Sequence, residues 1–447
     1  MMISRAEPSA ATPAASPGLN LYLLFVISWF LHVPARLEIL GAIRFDLVLV
    51  CILAALAATR GNMTSRTISD ADRVLRVLIV YSVLTIPFVY WPGSVIKSGL
   101  PNFLKAVVFF YFTIAFLRTE ADLRRFVFVF VSVQMVRVLE PLYLHLVHGY
   151  WGSQASMANW ESMSRLSGAP SDVINPNGLA FVICTVLPFL LFMASLSSRL
   201  RLAAVLLVPA VLYALALTGS RSGIIGLLIV VLGVAIKSRN LATLLFVMIV
   251  GLVVGGLGFT FLSTDMQDRY LSILGRGEKN IGTAEDRLEG MTEQLGVLMH
   301  RPIFGHGLGT SPEANAHFTT SGPYAGWQMP AHNLFLEVGQ EIGLIGVIIF
   351  VFFAKAIISG FARSRRALSR HDNAGFLQRL IDAMQVWLAM NVVFSFASYG
   401  LSSYEWYLFG GLSVVVQRLA ELRESSEVRA EASLGDPGSF LGVKSRE

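Results

Sequence analysis

Long apolar stretches recur along the whole chain and constrain its fold more than any other feature. A helix needs about 20 mainly apolar residues to cross the hydrocarbon core of a bilayer. Stretches of roughly this length lie at about 19–33, 37–58, 74–91, 102–117, 126–147, 177–196, 200–218, 222–236, 241–262, 332–358, 380–398 and 403–417. The sequence therefore predicts an all-α polytopic membrane protein with about twelve transmembrane helices.

The composition excludes a soluble globular domain, since 54% of the residues are hydrophobic and only 14% are charged. The formal net charge of +6 could indicate nucleic-acid binding. However, the basic residues lie mainly in short loops between apolar stretches, where they set membrane topology. Cys51 and Cys184 both lie in apolar runs. Neither a disulfide framework nor a thiolate metal site is indicated, and no nucleic acid or cofactor is expected.

Basic residues are distributed unevenly between the two sides of the predicted bundle. The loops after even-numbered stretches contain Arg60, Arg66, Arg73, Arg118, Arg124, Arg125, Arg199, Arg201, Lys237, Arg239, Arg363, Arg365, Arg366 and Arg370. The short loops on the other side contain only Arg36, Lys97, Arg165 and Arg221. By the positive-inside rule, both termini are predicted to be cytoplasmic.

This topology divides the chain into five parts. Residues 1–18, rich in Ala, Pro and Ser, are predicted to form a disordered cytoplasmic tail before a retained first span. Residues 19–262 form transmembrane helices 1 to 9, and residues 263–331 form a long outward, periplasmic loop. Residues 332–417 form helices 10 to 12, and residues 418–447 form a second cytoplasmic tail.

The long loop contains a predicted amphipathic helix between Thr283 and Pro302. Thr283 can cap its N-terminus and Pro302 ends it. Its apolar stripe is formed by Leu288, Met291, Leu295 and Leu298.

The next span, beginning with residues 331–346, is unusually polar for a membrane helix. One side is predicted to carry His332, Asn333, Glu337, Gln340 and Glu341, and a close-packing strip Gly339, Gly343 and Gly346. A charged side chain at the centre of such a helix costs about 2.5 to 3.5 kcal/mol on insertion scales. This face is therefore expected to contact protein or water.

Several of these residues have both a structural and a chemical interpretation. Arg221, in an outward turn, could be an interfacial anchor or an anion clamp. Arg287 could bind an anion or pair with its acidic neighbours. His332 could be a general base or a hydrogen-bonded structural residue. The glycine-rich turn at Gly305 and Gly307 could present N–H groups to a phosphate, although such turns are common.

Further polar groups are predicted to pair or to be buried within the bundle. These pairs are Arg44 with Asp46, Arg137 with Glu140, and Glu337 with Glu341. Four histidines share the long-loop region, namely His300, His306, His317 and His332. Their spacing matches no zinc motif, so a metal site is not expected.

A family resemblance rests on the order of these motifs. His332-Asn333, nine residues, and then Gly343-x-x-Gly346 resembles the signature of bacterial O-antigen ligases. The same region is similar to the shared domain of O-antigen and exopolysaccharide polymerases. The SRSG turn at 220–223, Arg287, and Gly305-x-Gly307 follow the order of this superfamily. The motifs cover about residues 175–350.

The resemblance implies an inverting, metal-independent glycosyltransferase with the membrane-embedded C-type fold in the bacterial inner membrane. Such an enzyme takes a glycan from an undecaprenyl-diphosphate carrier on the periplasmic face. By this resemblance Arg221 and Arg287 bind the diphosphate, and His332 orients or deprotonates the acceptor hydroxyl. Asn333, Gly305 and Gly307 complete the substrate site.

Two alternatives remain open. The acceptor is a lipid A core sugar in a ligase and a second carrier-linked glycan in a polymerase, and the nine-residue spacing slightly favours the ligase. A membrane transporter would also suit about twelve spans with intramembrane charges. Against a transporter, no corresponding pair of broken helices is evident, and the polar residues are concentrated near one outward loop.

Overall fold

The computed structural model describes most of the chain, and the described part is helical without strands. It describes residues 18–59, 69–152, 165–172, 174–238, 249, 256, 259–260, 262–271, 282–320, 325–369, 375–398 and 400–434. The helices of eight or more residues are α1 (Leu19–Phe30), α2 (Phe45–Thr59), α3 (Asp70–Leu84), α4 (Leu100–Phe116), α5 (Glu120–His148), α6 (Pro176–Met193), α7 (Ser198–Leu217), α8 (Arg221–Ser238), α9 (Thr264–Leu271), α10 (Gly282–His300), α11 (Ser311–Phe318), α12 (Leu334–Leu368), α13 (Gly375–Phe394) and α14 (Tyr404–Leu434).

The helices confirm an all-helical polytopic membrane protein. Every predicted stretch coincides with a helix except 241–262, which lies largely outside the described residues. In the described part, five helices are long and apolar enough to cross a bilayer: Pro92–Phe116, Glu120–His148, Pro176–Met193, Ser198–Leu217 and Leu334–Leu368. Helices α1 and α2 are apolar but shorter. The total of twelve spans stays a prediction.

Side-chain caps in the sequence fix several helix starts. At α5 the Thr119 hydroxyl accepts from the Asp122 N–H at 3.1 Å, and Asp122 accepts from the Thr119 N–H at 3.0 Å. At α6 the Asn175 side chain accepts from the Gly178 N–H at 2.8 Å, and Pro176 occupies the first helical position. These contacts satisfy donors that have no partner within the helix.

The core is a set of interlocked aromatic side chains from α1, α4, α5, α6, α13 and α14. Tyr22 is fully buried, and its hydroxyl is 2.7 Å from that of Thr113. The Trp387 ring packs against Phe130, Phe189 and Phe409. These contacts exclude lipid from the centre and fix the relative positions of the helices.

Helix α12 is interrupted at the glycine strip, although the sequence predicted one continuous span at this position. Gly343 has φ 72° and ψ −179°, so the helix breaks there. The residues after α10 fill the break, since the Leu344 N–H donates to the Pro302 carbonyl at 2.7 Å. The close-packing role predicted for the strip is confirmed: a Cβ on Gly343 would lie 2.0 Å from the Ile303 carbonyl oxygen.

Two predicted ion pairs are wrong in their partners. Arg137 forms a two-pronged ion pair with Asp172, at 2.6 and 3.1 Å, rather than with Glu140. Glu140 instead accepts from Arg36, at 2.8 and 2.6 Å.

The Asp46 carboxylate accepts from the Ser28 hydroxyl at 2.5 Å, a contact between α2 and α1. For both predicted pairs, the observed partners are more distant in sequence than the predicted ones.

Helix α14 continues beyond the predicted last span, through part of the predicted C-terminal tail, to Leu434. The rest of the two predicted tails, residues 1–17 and 435–447, lies outside the described residues.

Candidate active site

The start of α12 is anchored to the end of α13. Asn333 is the N-cap of α12, and its Oδ1 accepts from the N–H groups of Phe335 and Leu336 at 2.9 and 3.3 Å. Its Nδ2 donates to the Phe396 carbonyl at 3.4 Å. The Leu334 N–H donates to the Ser395 carbonyl at 2.8 Å. The described geometry thus assigns Asn333 a role in holding the helix start.

The start of α8 meets the same part of α13. A Cβ on Gly226 would lie 2.5 Å from the Phe394 ring, so α8 and α13 are in close contact there. Arg221 is the first residue of α8, about 7.5 Å along the axis from Gly226 at about 1.5 Å per residue. The starts of α8 and α12, which carry Arg221 and His332, therefore both lie near residues 394–396, at the same end of the bundle.

The turn that carries Arg221 is held by serine and threonine hydroxyls. Ser220 accepts from the Gly223 N–H at 3.1 Å, and the Ser220 N–H donates to the Thr218 hydroxyl at 3.2 Å. Ser220 and Thr218 are fully buried, whereas Arg221 is half-buried. The SRSG sequence thus fixes the backbone around Arg221, whose side chain is only partly exposed.

Two more arginines converge on this turn, and neither was predicted from the sequence to be a site residue. Arg165, 4% exposed, donates from Nε to the Thr218 carbonyl at 2.8 Å. Arg269, on α9, donates from Nε to the Gly219 carbonyl at 2.8 Å. Their partners at the turn are neutral carbonyl oxygens, so these bonds do not cancel the positive charge. The sequence does single out Arg165, because few basic residues lie in the predicted outward loops.

Tyr270 completes the packing around the turn. Its hydroxyl donates to the Ala216 carbonyl at 2.9 Å. Burial raises the pKa of Tyr270 to about 12, against the opposing effect of Arg165 and Arg269. Tyr270 therefore remains a neutral hydrogen-bond donor at physiological pH, and it adds no negative charge beside the arginines.

The predicted amphipathic helix is present as α10, but its buried face differs from the predicted stripe. Leu298 is 4% exposed, whereas Leu295 is 48% exposed. Gln294 is buried beside Leu298, because α10 packs against the small surface at Gly339 of α12. Arg287 lies within α10, and its side chain is outside the described residues.

Leu295 borders an open, mainly apolar groove at the start of α12. The groove has a volume of about 390 Å³ and is lined by Met291, Thr292, Leu295, Asn333, Phe335, Leu336 and Phe396. The Phe335 and Phe396 rings pack with their centroids 5.1 Å apart. This surface can hold an apolar or mixed ligand beside the start of α12.

His332 immediately precedes the cap of α12. Its side chain is half-buried, and its backbone N–H donates to the Gln294 Oε1 at 3.3 Å. The start of a helix carries a partial positive charge of about half an elementary charge. A hydroxyl that loses its proton near His332 would therefore lie in a favourable field.

The glycine-rich turn after α10 uses its N–H groups within the fold. Gly305 donates to the Arg301 carbonyl at 3.0 Å, and Gly307 donates to the Glu341 carbonyl at 2.9 Å. A Cβ on Gly305 would lie 2.5 Å from the Glu341 carbonyl carbon. Packing against the α12 break therefore accounts for Gly305, whereas a Cβ on Gly307 would lie 2.6 Å from the Val95 side chain. The contact of both glycines with substrate stays a prediction.

The other histidines gather around Phe318, away from the turn that carries Arg221. The rings of His300, His306 and His317 lie 4.6, 4.9 and 4.6 Å from the Phe318 ring. Burial lowers the pKa of His306, whose Nε2 donates to the Val297 carbonyl at 2.9 Å. Among the described residues, no three His, Cys, Asp or Glu side chains are arranged to hold a metal ion.

The two glutamates of α12 are buried inside the protein rather than facing lipid. Glu337 accepts from the N–H groups of Gly400 and Leu401 at 2.6 and 3.0 Å, which ties α12 to the segment before α14. Glu341 is 3% exposed and lies next to the glycine-rich turn. The predicted contact of this polar face with protein is confirmed, and Glu337 has a structural role.

Comparison with known proteins identifies one family. Residues 202–351 match the model of the O-antigen ligase family, a segment that includes Arg221, the α10 region and the His332 motif. A search of curated proteins found no match.

Proposed function

We propose that this chain, whose residues 202–351 form an O-antigen ligase domain, transfers a glycan from undecaprenyl diphosphate to an acceptor hydroxyl. The match supports a membrane enzyme of the ligase or polymerase type that acts on lipid-linked glycans. The observation that supports the finer proposal is that the starts of α8 and α12, which carry Arg221 and His332, both contact residues 394–396 at one end of the bundle.

The arginines supply the positive charge that the leaving group requires. In the proposed reaction the acceptor oxygen attacks the anomeric carbon, and the bond from that carbon to the diphosphate oxygen breaks with inversion. The diphosphate leaves with the electron pair, so negative charge develops on it. Arg221 and Arg287 bind this group, and Arg165 and Arg269 add positive charge at the same turn. Guanidinium groups suit this role because they stay charged and bind phosphate oxygens in pairs.

His332 acts on the acceptor. Its imidazole orients the acceptor hydroxyl and takes the proton as the new glycosidic bond forms. The neighbouring groove is open and mainly apolar, with Asn333 and Thr292 at its polar positions. It provides space for the acceptor next to His332.

The membrane arrangement follows from the charge distribution. We place about twelve spans in the bacterial inner membrane, with both termini in the cytoplasm. Residues 263–331 then form the periplasmic loop, and the site opens toward the periplasm. The carrier diphosphate would lie at the membrane surface, where the α8 turn presents Arg221.

A ligase is favoured slightly over a polymerase by the nine-residue spacing of the His332 motif. A transporter is disfavoured by the break in α12. The break is filled by residues 302–307, whose N–H and carbonyl groups bond to α12, so it lines no transport path.

His332→Ala and Arg221→Ala are expected to insert normally but to abolish surface glycan, because each removes one part of the reaction. Glycan is measured on whole-cell extracts, and insertion on isolated membranes. His148→Ala, an exposed histidine at the end of α5, is the matched control and is expected to keep surface glycan. Normal glycan in either site variant would contradict the assignment.

Gene deletion separates the two activities. Long glycans that accumulate on the carrier in the deletion strain indicate a missing ligase. Single repeat units on the carrier indicate a missing polymerase instead.

A further inference from the structure

A fully buried amide, Gln340, lies at the centre of a hydrogen-bond network between α10, α11 and α12. It is 0% exposed. Its Nε2 donates to the Gln294 carbonyl and to the Asn315 Oδ1, both at 2.9 Å. Its Oε1 accepts from the Ser311 hydroxyl at 2.7 Å. A buried polar side chain is costly unless it is bonded, and here both ends of the amide have partners.

Each partner of Gln340 also holds the backbone of residues 329–332. Asn315 donates from Nδ2 to the Met329 carbonyl at 2.8 Å. The Ser311 hydroxyl accepts from the Ala331 N–H at 3.1 Å. The Gln294 Oε1 accepts from the His332 N–H at 3.3 Å. Each partner of Gln340 is therefore also hydrogen-bonded to the segment that carries His332.

We propose that Gln340 is the positioning residue that fixes His332 for glycan transfer, a role that rests on the proposed function. Gln340 is six residues after Leu334, the first residue of α12, about 9 Å along the axis at about 1.5 Å per residue, so it acts through the network rather than on substrate. The network needs an amide: leucine makes none of the three bonds, and a glutamate carboxylate cannot donate to the two oxygens that face Nε2.

Gln340→Leu is expected to lower kcat about a hundredfold with KM for the carrier-linked glycan within about twofold, because misplacing a reacting group by about 1 Å has an effect of this size. The measurement uses the full-length protein in nanodiscs with undecaprenyl-diphosphate glycan and acceptor. Ser311→Ala removes two hydrogen bonds, one to Gln340 and one from the Ala331 N–H, but leaves the contacts of Gln340 with Gln294 and Asn315, so it is expected to lower kcat less, by about tenfold. It provides a second variant if Gln340→Leu does not fold.

Hydrogen exchange supplies a readout that a general loss of stability would not reproduce. In Gln340→Leu, amide exchange in the peptide 326–333 is expected to accelerate at least about tenfold, since the Ala331 and His332 N–H groups lose their fixed partners. Exchange in the peptide 345–360 of α12 is expected to stay unchanged. Gln378→Leu is the matched control: Gln378 donates to the Leu368 carbonyl at 2.7 Å at the other end of α12, and neither kcat nor exchange at 326–333 should change.

Faster exchange at 326–333 together with a kcat loss supports the positioning role. Unchanged exchange there in both variants overturns it, and so does wild-type kcat in Gln340→Leu. A wild-type protein that transfers no glycan in this assay contradicts the proposed function and, with it, the catalytic part of this proposal.

Discussion

At the scale of single residues, Gly343 provides the space in which the segment after α10 packs against α12. The sequence predicted that Gly343 lets other atoms approach closely, and the Ile303 carbonyl does so. It did not predict the break in α12, because the positive φ at Gly343 depends on the inserted segment at 302–307, which is distant in sequence. The local sequence indicates that a small residue is needed at this position, but it does not indicate which segment packs against it.

Gly343→Ala is expected to destabilise the protein by about 2 to 4 kcal/mol, by combining overpacking with the cost of a positive φ for alanine. The measurement is thermal unfolding in detergent. Gly296→Ala is the matched control, because a Cβ on this α10 glycine meets no atom within 4 Å. It is expected to be neutral or to stabilise by up to about 1 kcal/mol. Equal unfolding temperatures for the two variants would contradict the packing account.

At the scale of elements, the loop before α6 is held to α5 by a buried ion pair. Asp172 is 1% exposed and accepts from Arg137, while His32 lies 3.2 Å from its other oxygen. The same loop carries Arg165, which holds the turn at Arg221. Sequence spacing suggested Glu140 as the partner of Arg137, but tertiary contacts select Asp172. The sequence revealed the helices because apolar patterning is local, whereas pairing depends on the assembled bundle.

Asp172→Asn is expected to lower the unfolding temperature at pH 7, and the difference from wild type should shrink as the pH falls below about 4. Burial alone would raise the pKa of Asp172, but hydrogen bonds from His32 and Arg137 outweigh it and lower the pKa. A lowered pKa in the folded state means that the carboxylate stabilises the protein above its ordinary pKa. That stability is lost as the pH falls through the folded-state value.

Breaking this buried pair should cost about 3 to 5 kcal/mol at neutral pH. Glu140→Gln disrupts the more exposed pair with Arg36, and as control it should cost about 0 to 1 kcal/mol. A difference between Asp172→Asn and wild type that is independent of pH would contradict the assigned ionisation.

At the scale of the whole molecule, the proposed function requires His332 and Arg221 to face the periplasm. The count of basic residues in the loops predicted that both residues lie on the same side of the membrane. In the structure, the starts of α8 and α12 both contact the end of α13. The scarcity of basic residues in the outward loops singles out Arg165 in the sequence, but only the fold places Arg165 and Arg269 at the α8 turn.

The orientation can be tested with single cysteines in a chain that lacks Cys51 and Cys184. Thr320 follows α11 and Ser369 follows α12, and both residues are exposed. The two single-cysteine variants are therefore Thr320→Cys and Ser369→Cys. A membrane-impermeant maleimide added to intact inner membranes from the periplasmic side should label position 320 and should label position 369 only after lysis. The reverse pattern would contradict the proposed topology.

The most direct test of the central claim is glycan transfer by the purified protein in proteoliposomes with undecaprenyl-diphosphate glycan and lipid A core acceptor. Wild type should release undecaprenyl diphosphate and form glycosylated acceptor in equal amounts. His332→Ala should lower the transfer rate by about 10² to 10⁴, the usual contribution of a general acid–base group. Transfer at the wild-type rate by His332→Ala would contradict the account.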